Sequence, residues 1–191
     1  MDIKTSNIAN LPSKHGKFRI KAYKQDNQEH LVIMSRDFEK IESPYVRIHS
    51  ECLTGDTLGS LKCDCQNQLE LALKFIGEKG GLIIYHRQEG RNIGLLNKVN
   101  AYALQDKGRD TVQANLELGF KEDERDYSVV DFIFKDLNIK SIKLITNNPK
   151  KIEYVESLGV KITQRISAIT KSNVYNENYL NTKKEYFGHF L

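Results

Sequence analysis

Leu82-Ile83-Ile84-Tyr85 is an unbroken apolar run, closed by Gly80-Gly81 on one side and by the charged stretch His86-Arg87-Gln88-Glu89-Gly90-Arg91-Asn92 on the other. So short a run between turn residues predicts a buried strand. Before it, Leu69, Leu71, Ala72, Leu73, Phe75 and Ile76 give an apolar face to a helix from about Gln66 to Lys79, which the two glycines end. After it, the charged loop leads into a second helix from about Leu95 to Asp106. The alternation continues with a helix from Tyr127 to Leu137, a strand from Ile142 to Ile145, a helix from Pro149 to Leu158 and a strand from Val160 to Thr163. Upstream, Phe18 to Tyr23, Leu31 to Ser35 and Tyr45 to His49 are β-rich segments with polar connections, expected to form an antiparallel or mixed sheet. The pattern predicts an α/β (α+β mixed) fold in one domain over residues 1–191. In it a β-rich N-terminal part, 1–44, packs with an alternating strand/helix core, and 167–191 forms a C-terminal tail.

The chain of 191 residues is 39% hydrophobic, enough to bury a core without a disulfide scaffold. Lys+Arg 29 against Asp+Glu 25 leaves a net charge of +4 with the signs interleaved. That balance suits an anionic small molecule; nucleic-acid binders concentrate Lys and Arg on one face, so no nucleic-acid partner is expected. The opening, Met1 to Leu11, is polar, and no run reaches the ~18 apolar residues of a membrane span. A cytoplasmic protein with reduced thiols and no membrane partner is the expectation.

All three cysteines, Cys52, Cys63 and Cys65, fall in one short stretch. Random placement would cluster them so tightly in roughly one chain in a hundred. Lys62, Asp64, Gln66 and Asn67 make the surroundings polar, which suits an ion better than an apolar core. A Cys-x-Cys separation is poor for a disulfide, and an odd count leaves one thiol over. Structural zinc is normally enclosed by four protein ligands, whereas catalytic zinc keeps three and leaves a position for water or substrate. Three cysteines therefore point to a catalytic metal.

Two loops at strand ends add anion chemistry. Ile142 to Ile145 runs into Thr146-Asn147-Asn148-Pro149-Lys150-Lys151, where a helix starts with proline and two lysines. Helix N-termini bind anions, and Thr146 and Lys151 would add donors. Glu89-Gly90-Arg91 offers a carboxylate, a close backbone approach and a guanidinium suited to phosphate. Together the loops fit a nucleotide.

Beyond these features, an ordered series of blocks resembles GTP cyclohydrolase II. They are His49-Ser-Glu-Cys52-Leu-Thr-Gly-Asp, Cys63-Asp-Cys65, Tyr85-His-Arg-Gln-Glu-Gly-Arg-Asn-Ile-Gly-Leu-Leu-Asn-Lys98, Ala101-Tyr-Ala-Leu-Gln-Asp106, Asp110-Thr111, Ala114-Asn115, Leu118-Gly-Phe120, Asp123-Glu-Arg-Asp126 and Thr146-Asn-Asn-Pro-Lys-Lys151. The resemblance runs from about residue 45 to the C-terminus. It implies opening of GTP to 2,5-diamino-6-(5-phospho-ribosylamino)pyrimidin-4(3H)-one with release of formate and pyrophosphate, the entry step to riboflavin. It implies one Zn2+ per subunit on Cys52, Cys63 and Cys65 plus water, Mg2+ with the GTP phosphates, and a homodimer. Asp123 is implied as base, Arg125 as nucleophile on the α-phosphorus or as a charge clamp, and Tyr102 as a residue orienting the water or the opening ring. Arg47, His49, Ser50, Glu51, Gln68, Glu89, Gly90, Arg91, Thr111, Thr146 and Lys151 match substrate-binding positions. Of these, Glu89 is expected to accept from guanine N1–H and the 2-amino group, and Arg47, Arg91, Thr146 and Lys151 to meet phosphate. The chain departs from the family by having Gln66-Asn67 where glycine commonly follows Cys-Asp-Cys. No second catalytic domain accompanies these blocks, which implies the monofunctional form.

Two other classes predict different things. A zinc nucleobase deaminase would use His49-Ser50-Glu51, but it needs Pro-Cys-x-x-Cys downstream where this chain has Cys-x-Cys. A zinc-stabilised nucleic-acid module would close the site with a fourth ligand, His86 or His49.

Overall fold

The computed structural model describes residues 2–191. Eight strands form one sheet: β1 (Ile3–Thr5), β2 (Ala9–Ser13), β3 (Gly16–Gln25), β4 (Gln28–Ser35), β5 (Tyr45–Ser50), β6 (Gly81–His86), β7 (Ser141–Ile145) and β8 (Lys161–Ile166). Their order is β1-β3-β4-β6-β5-β7-β8, with β2 also paired to β3. The N-terminal strands pair antiparallel, and β4 joins antiparallel to β6. From β6 onward every pairing is parallel. The expected mixed sheet is present.

Side-chain alternation divides the core into two layers. Val32, Met34, Val46, Ile48, Leu82, Ile84, Ile142 and Leu144 face one side, against Val129, Val130, Ile133 and Phe134 of α6 (Ser128–Asp136) and Val155 of α7 (Pro149–Ser157). Ile33, Ile83 and Ile145 face the other, against Ala72 and Ile76 of α2 (Cys65–Lys79). Strand β6 is covered on both faces, which is why it reads as a continuous apolar run.

The sheet also determines where a ligand can sit. From β5 the chain crosses through α2 to β6 on one side, then returns to β7 on the other. Strand β5 is thus the point where the winding reverses, and clefts open at the carboxyl ends of strands at such points. The ends of β5, β6 and β7 carry Ser50-Glu51-Cys52, His86-Arg87-Gln88-Glu89 and Thr146-Asn147-Asn148.

Several short elements were not expected: β1, β2, α1 (Leu53–Asp56), a one-turn α3 (Glu89–Asn92) and α5 (Thr111–Glu117). The helix expected from Leu95 is α4 (Gly94–Gln105). The segment expected as a tail contains α8 (Glu177–Glu185) and is tied down: Phe190 N–H donates to Asn147 O (2.9 Å), and Lys183 Nζ meets Asp64 Oδ1 at 2.6 Å. Helix α8 is mostly polar, so burial of an ion pair rather than an apolar stripe marks its docking face.

Candidate active site

The three sulphurs come together because two chain turns converge. Cys52 caps α1, and Cys65 is the first residue of α2. The ligand atoms of Cys52, Cys63 and Cys65 all lie within 4.8 Å of one another. The Cys52 and Cys63 sulphurs are 3.7 Å apart. A tetrahedral ion with Zn–S bonds of about 2.3 Å places its sulphurs about 3.8 Å apart, so the cluster fits zinc. Cys52 accepts from Cys63 and Cys65, with Lys98 adding positive charge, and its thiol is held well below its ordinary value. The complementary donor role pushes Cys63 up to about 11 and raises Cys65 as well. Neither histidine closes the cluster. His49 Nε2 lies 3.1 Å from Asp56 Oδ1, and His86 Nε2 lies 2.9 Å from the Asp126 carbonyl.

Gly55 makes room for the sulphurs. A Cβ there would stand 2.8 Å from Cys63 Sγ, 3.1 Å from Cys52 Sγ and 3.0 Å from Cys65 Cβ. Gly55→Ala is therefore expected to spread the ligands and weaken zinc binding by about tenfold or more. Competition against a chromophoric chelator measures this, and wild-type affinity would refute the packing argument.

The same cavity is lined by buried cations. Arg125 is held by Asp123 as a fork: Nε donates to Oδ1 at 2.8 Å and Nη2 to Oδ2 at 2.5 Å. Its Nη1 donates to Ser50 Oγ at 2.9 Å, and Lys151 Nζ approaches the same oxygen at 3.3 Å. Lys151 also donates to Ile48 O (2.8 Å), and Arg47 donates to Ile145 O (3.1 Å) and Gln68 Oε1. Burial, with Arg125 and Arg47 nearby, drives Lys151 well below its ordinary value. Burial also lowers Arg47. Buried cations gathered this closely repel one another, an arrangement that a bound anion would relieve. For Arg125, burial opposes the charge, but Tyr127 and Asp123 outweigh it and hold the guanidinium ionised.

The Asp123–Arg125 segment reaches the site through α3. Gly90, Arg91 and Asn92 have φ of 61°, 61° and 74°, an uncommon left-handed run. It persists because it is laced to the segment: Arg91 Nη1 donates to Glu122 O (3.1 Å), Asn92 Nδ2 to Glu124 O (3.1 Å), and Glu124 N–H to Arg91 O (3.1 Å). Such over-determined strain is typical of functional loops.

All seventeen residues expected at the site line this one cavity, Tyr102 and Thr111 included. Tyr102 OH lies 3.1 Å from Thr54 Oγ1, which is 3.7 Å from Cys52 Sγ. Glu89 differs from expectation. It accepts from Leu53 N–H (2.6 Å), Gly90 N–H (2.9 Å) and Lys98 Nζ (2.7 Å). A carboxylate offers about four acceptor sites, so too few remain for both guanine donors. Lys98, Tyr179, Lys183, Phe187 and His189 also line the cavity and were not anticipated. Lysines on polar helix faces read as solvent-exposed, and the other four lie in the presumed tail.

A cluster of three thiols and a group of buried cations lining one cavity are the marks of an α/β enzyme site. The GTP cyclohydrolase II family profile matches residues 4–167. The chain is 58% identical over 191 residues to GTP cyclohydrolase-2 of Campylobacter hominis, covering 100% of this chain and 97% of that one. It is 59% identical over 192 residues to GTP cyclohydrolase-2 of Campylobacter fetus subsp. fetus, with the same coverage. The chain belongs to the GTP cyclohydrolase II family. Among solved structures it matches RibBX, a two-domain 3,4-dihydroxy-2-butanone 4-phosphate synthase from A. baumannii, at TM-score 0.45 and 15% identity, over 88% of this chain and 40% of that one.

Proposed function

We propose that the chain hydrolyses GTP to 2,5-diamino-6-(5-phospho-ribosylamino)pyrimidin-4(3H)-one, formate and pyrophosphate, the first step of riboflavin biosynthesis. The observation that carries this reading is the shared cavity: the cysteine cluster and the Asp123–Arg125–Ser50–Lys151 group open onto one cleft. A purine held between them would present its imidazole carbon to one end and its phosphates to the other. Cys52, Cys63 and Cys65 would hold zinc, which when bound would supply a Lewis acid and acidify water near neutral pH.

The chain's own side chains do the rest. Arg47, Arg91, Thr146 and Lys151 take the triphosphate, and its charge offsets the mutual repulsion of the buried cations. Tyr102, fixed by Thr54 beside the sulphurs, orients the ring as C8 leaves as formate. His49, Ser50, Glu51, Gln68, Gly90 and Thr111 complete the nucleotide contacts. Glu89 contributes by holding the backbone after Cys52. Asp123 fixes the guanidinium of Arg125, and an ionised, doubly gripped guanidinium is a poor nucleophile. Arg125 acts as a clamp on the charge that develops when the α–β anhydride breaks. Mg2+ would be held chiefly by the GTP phosphates, as is usual for this ion in nucleotide sites.

The exposed apolar surface supports reading the chain as one half of a homodimer. Leu58 and Leu61 are exposed after α1, Leu95, Leu96 and Val99 are exposed on α4, and Lys62 joins the two elements through Asp106 (2.6 Å). A cytoplasmic location suits thiols that must stay reduced. The deciding experiment incubates zinc-loaded protein with GTP and Mg2+ and measures formate. Stoichiometric formate is expected; none from metal-loaded protein, together with tight, salt-sensitive nucleic-acid binding, would favour the nucleic-acid module instead.

A further inference from the structure

Lys98 lies on α4 and is only 8% exposed. Its Nζ stands 3.1 Å from Cys52 Sγ and 2.7 Å from Glu89 Oε1. Glu89 also accepts the Leu53 N–H, so the Lys98–Glu89 pair grips the first cysteine by its sulphur and by the backbone that follows it. A buried ammonium needs a partner, and Glu89 alone would serve. The contact with sulphur does something more. Three thiolates around a dication leave a net negative centre, and each sulphur pushes electron density onto the ion and weakens it as a Lewis acid. A charged N–H donor draws density back toward the sulphur.

We propose that Lys98 is a positioning residue of the metal site, whose ammonium holds the Cys52 sulphur and limits the charge that sulphur donates to the ion. The proposal rests on the cysteine cluster being a metal site. Lys98→Met removes the charge at similar length, Lys98→Gln keeps a neutral donor, and Lys98→Arg restores a cation. Each is loaded with cobalt(II), and the near-ultraviolet sulphur-to-cobalt charge-transfer band is recorded.

The band is expected to move to lower energy in Lys98→Met, less in Lys98→Gln, and back toward wild type in Lys98→Arg, all at one cobalt per chain. With zinc, Lys98→Met is expected to lose about 10–100-fold in kcat for formate release, with KM for GTP within about twofold. A band at the wild-type position in fully loaded Lys98→Met overturns the proposal and leaves the metal reading intact. Should the methionine variant fail to fold, an unshifted band in fully loaded Lys98→Gln does the same. Absence of any sulphur-to-cobalt band in wild-type protein overturns both.

Discussion

Cys65→Ser protein is expected to carry no stoichiometric zinc and to release formate from GTP at least about 10³-fold more slowly than wild type. Serine keeps the size of the side chain but replaces a thiolate with a neutral alcohol. At the first position of α2 the change removes one of three sulphurs without touching the core. The loss should be selective. Arg125 is tied to Asp123 and Ser50, and none of its hydrogen bonds reaches a cysteine. Pyrophosphate release is therefore expected to fall far less than formate release. Metal content by mass spectrometry, with formate and pyrophosphate assayed separately, tests both statements. Zinc-free protein that still opens the ring at the wild-type rate would remove the metal from the mechanism.

Arg125→Ala is expected to cost at least about 10³-fold in pyrophosphate release, the scale on which a transition-state arginine acts in phosphoryl transfer. The geometry makes a finer prediction. If Arg125 clamps charge, Arg125→Lys should recover part of the rate, because a point charge replaces the fork but cannot hold both Asp123 oxygens and Ser50. Acid-quenched wild-type enzyme should then contain no phosphorylated arginine by mass spectrometry. A covalent adduct at Arg125 would show that the guanidinium attacks phosphorus. In both variants the midpoint of thermal unfolding separates loss of chemistry from loss of fold, since each leaves Asp123 with fewer partners.

Much of this was legible in the sequence because the signals are local. A strand covered on both faces leaves an apolar run, as at Leu82 to Tyr85. A thiol cluster built from adjacent turns keeps its members close along the chain, as Cys52, Cys63 and Cys65 do. What escaped depends on tertiary placement. Lys98 differs from a surface lysine only in what α4 packs against. Lys183 sits on a polar helix whose docking face is an ion pair. Glu89 was readable as a site residue, but its partners Leu53 and Lys98 come from different elements, and only the fold shows that they, with Gly90, take most of its acceptor positions. Short elements such as α1 and α5 are held by caps and neighbours rather than by a periodic stripe. In α5, Asp110 and Gln113 form a reciprocal capping box.

Asp64 lies between two of the sulphur-bearing residues and is 1% exposed. Its carboxylate is shared between Lys183 of α8 and Gln68, and Gln68 in turn accepts from Arg47. The last helix and the cysteine loop thus share one buried carboxylate, so ordering of the loop is expected to favour docking of the helix. Whatever free energy a bound ion adds to the ordered loop is returned, by reciprocity, as tighter docking of the C-terminus. On the proposed metal reading, proteolysis within the final two dozen residues, which lie beyond the span matched to the family, is expected to slow as the ion binds.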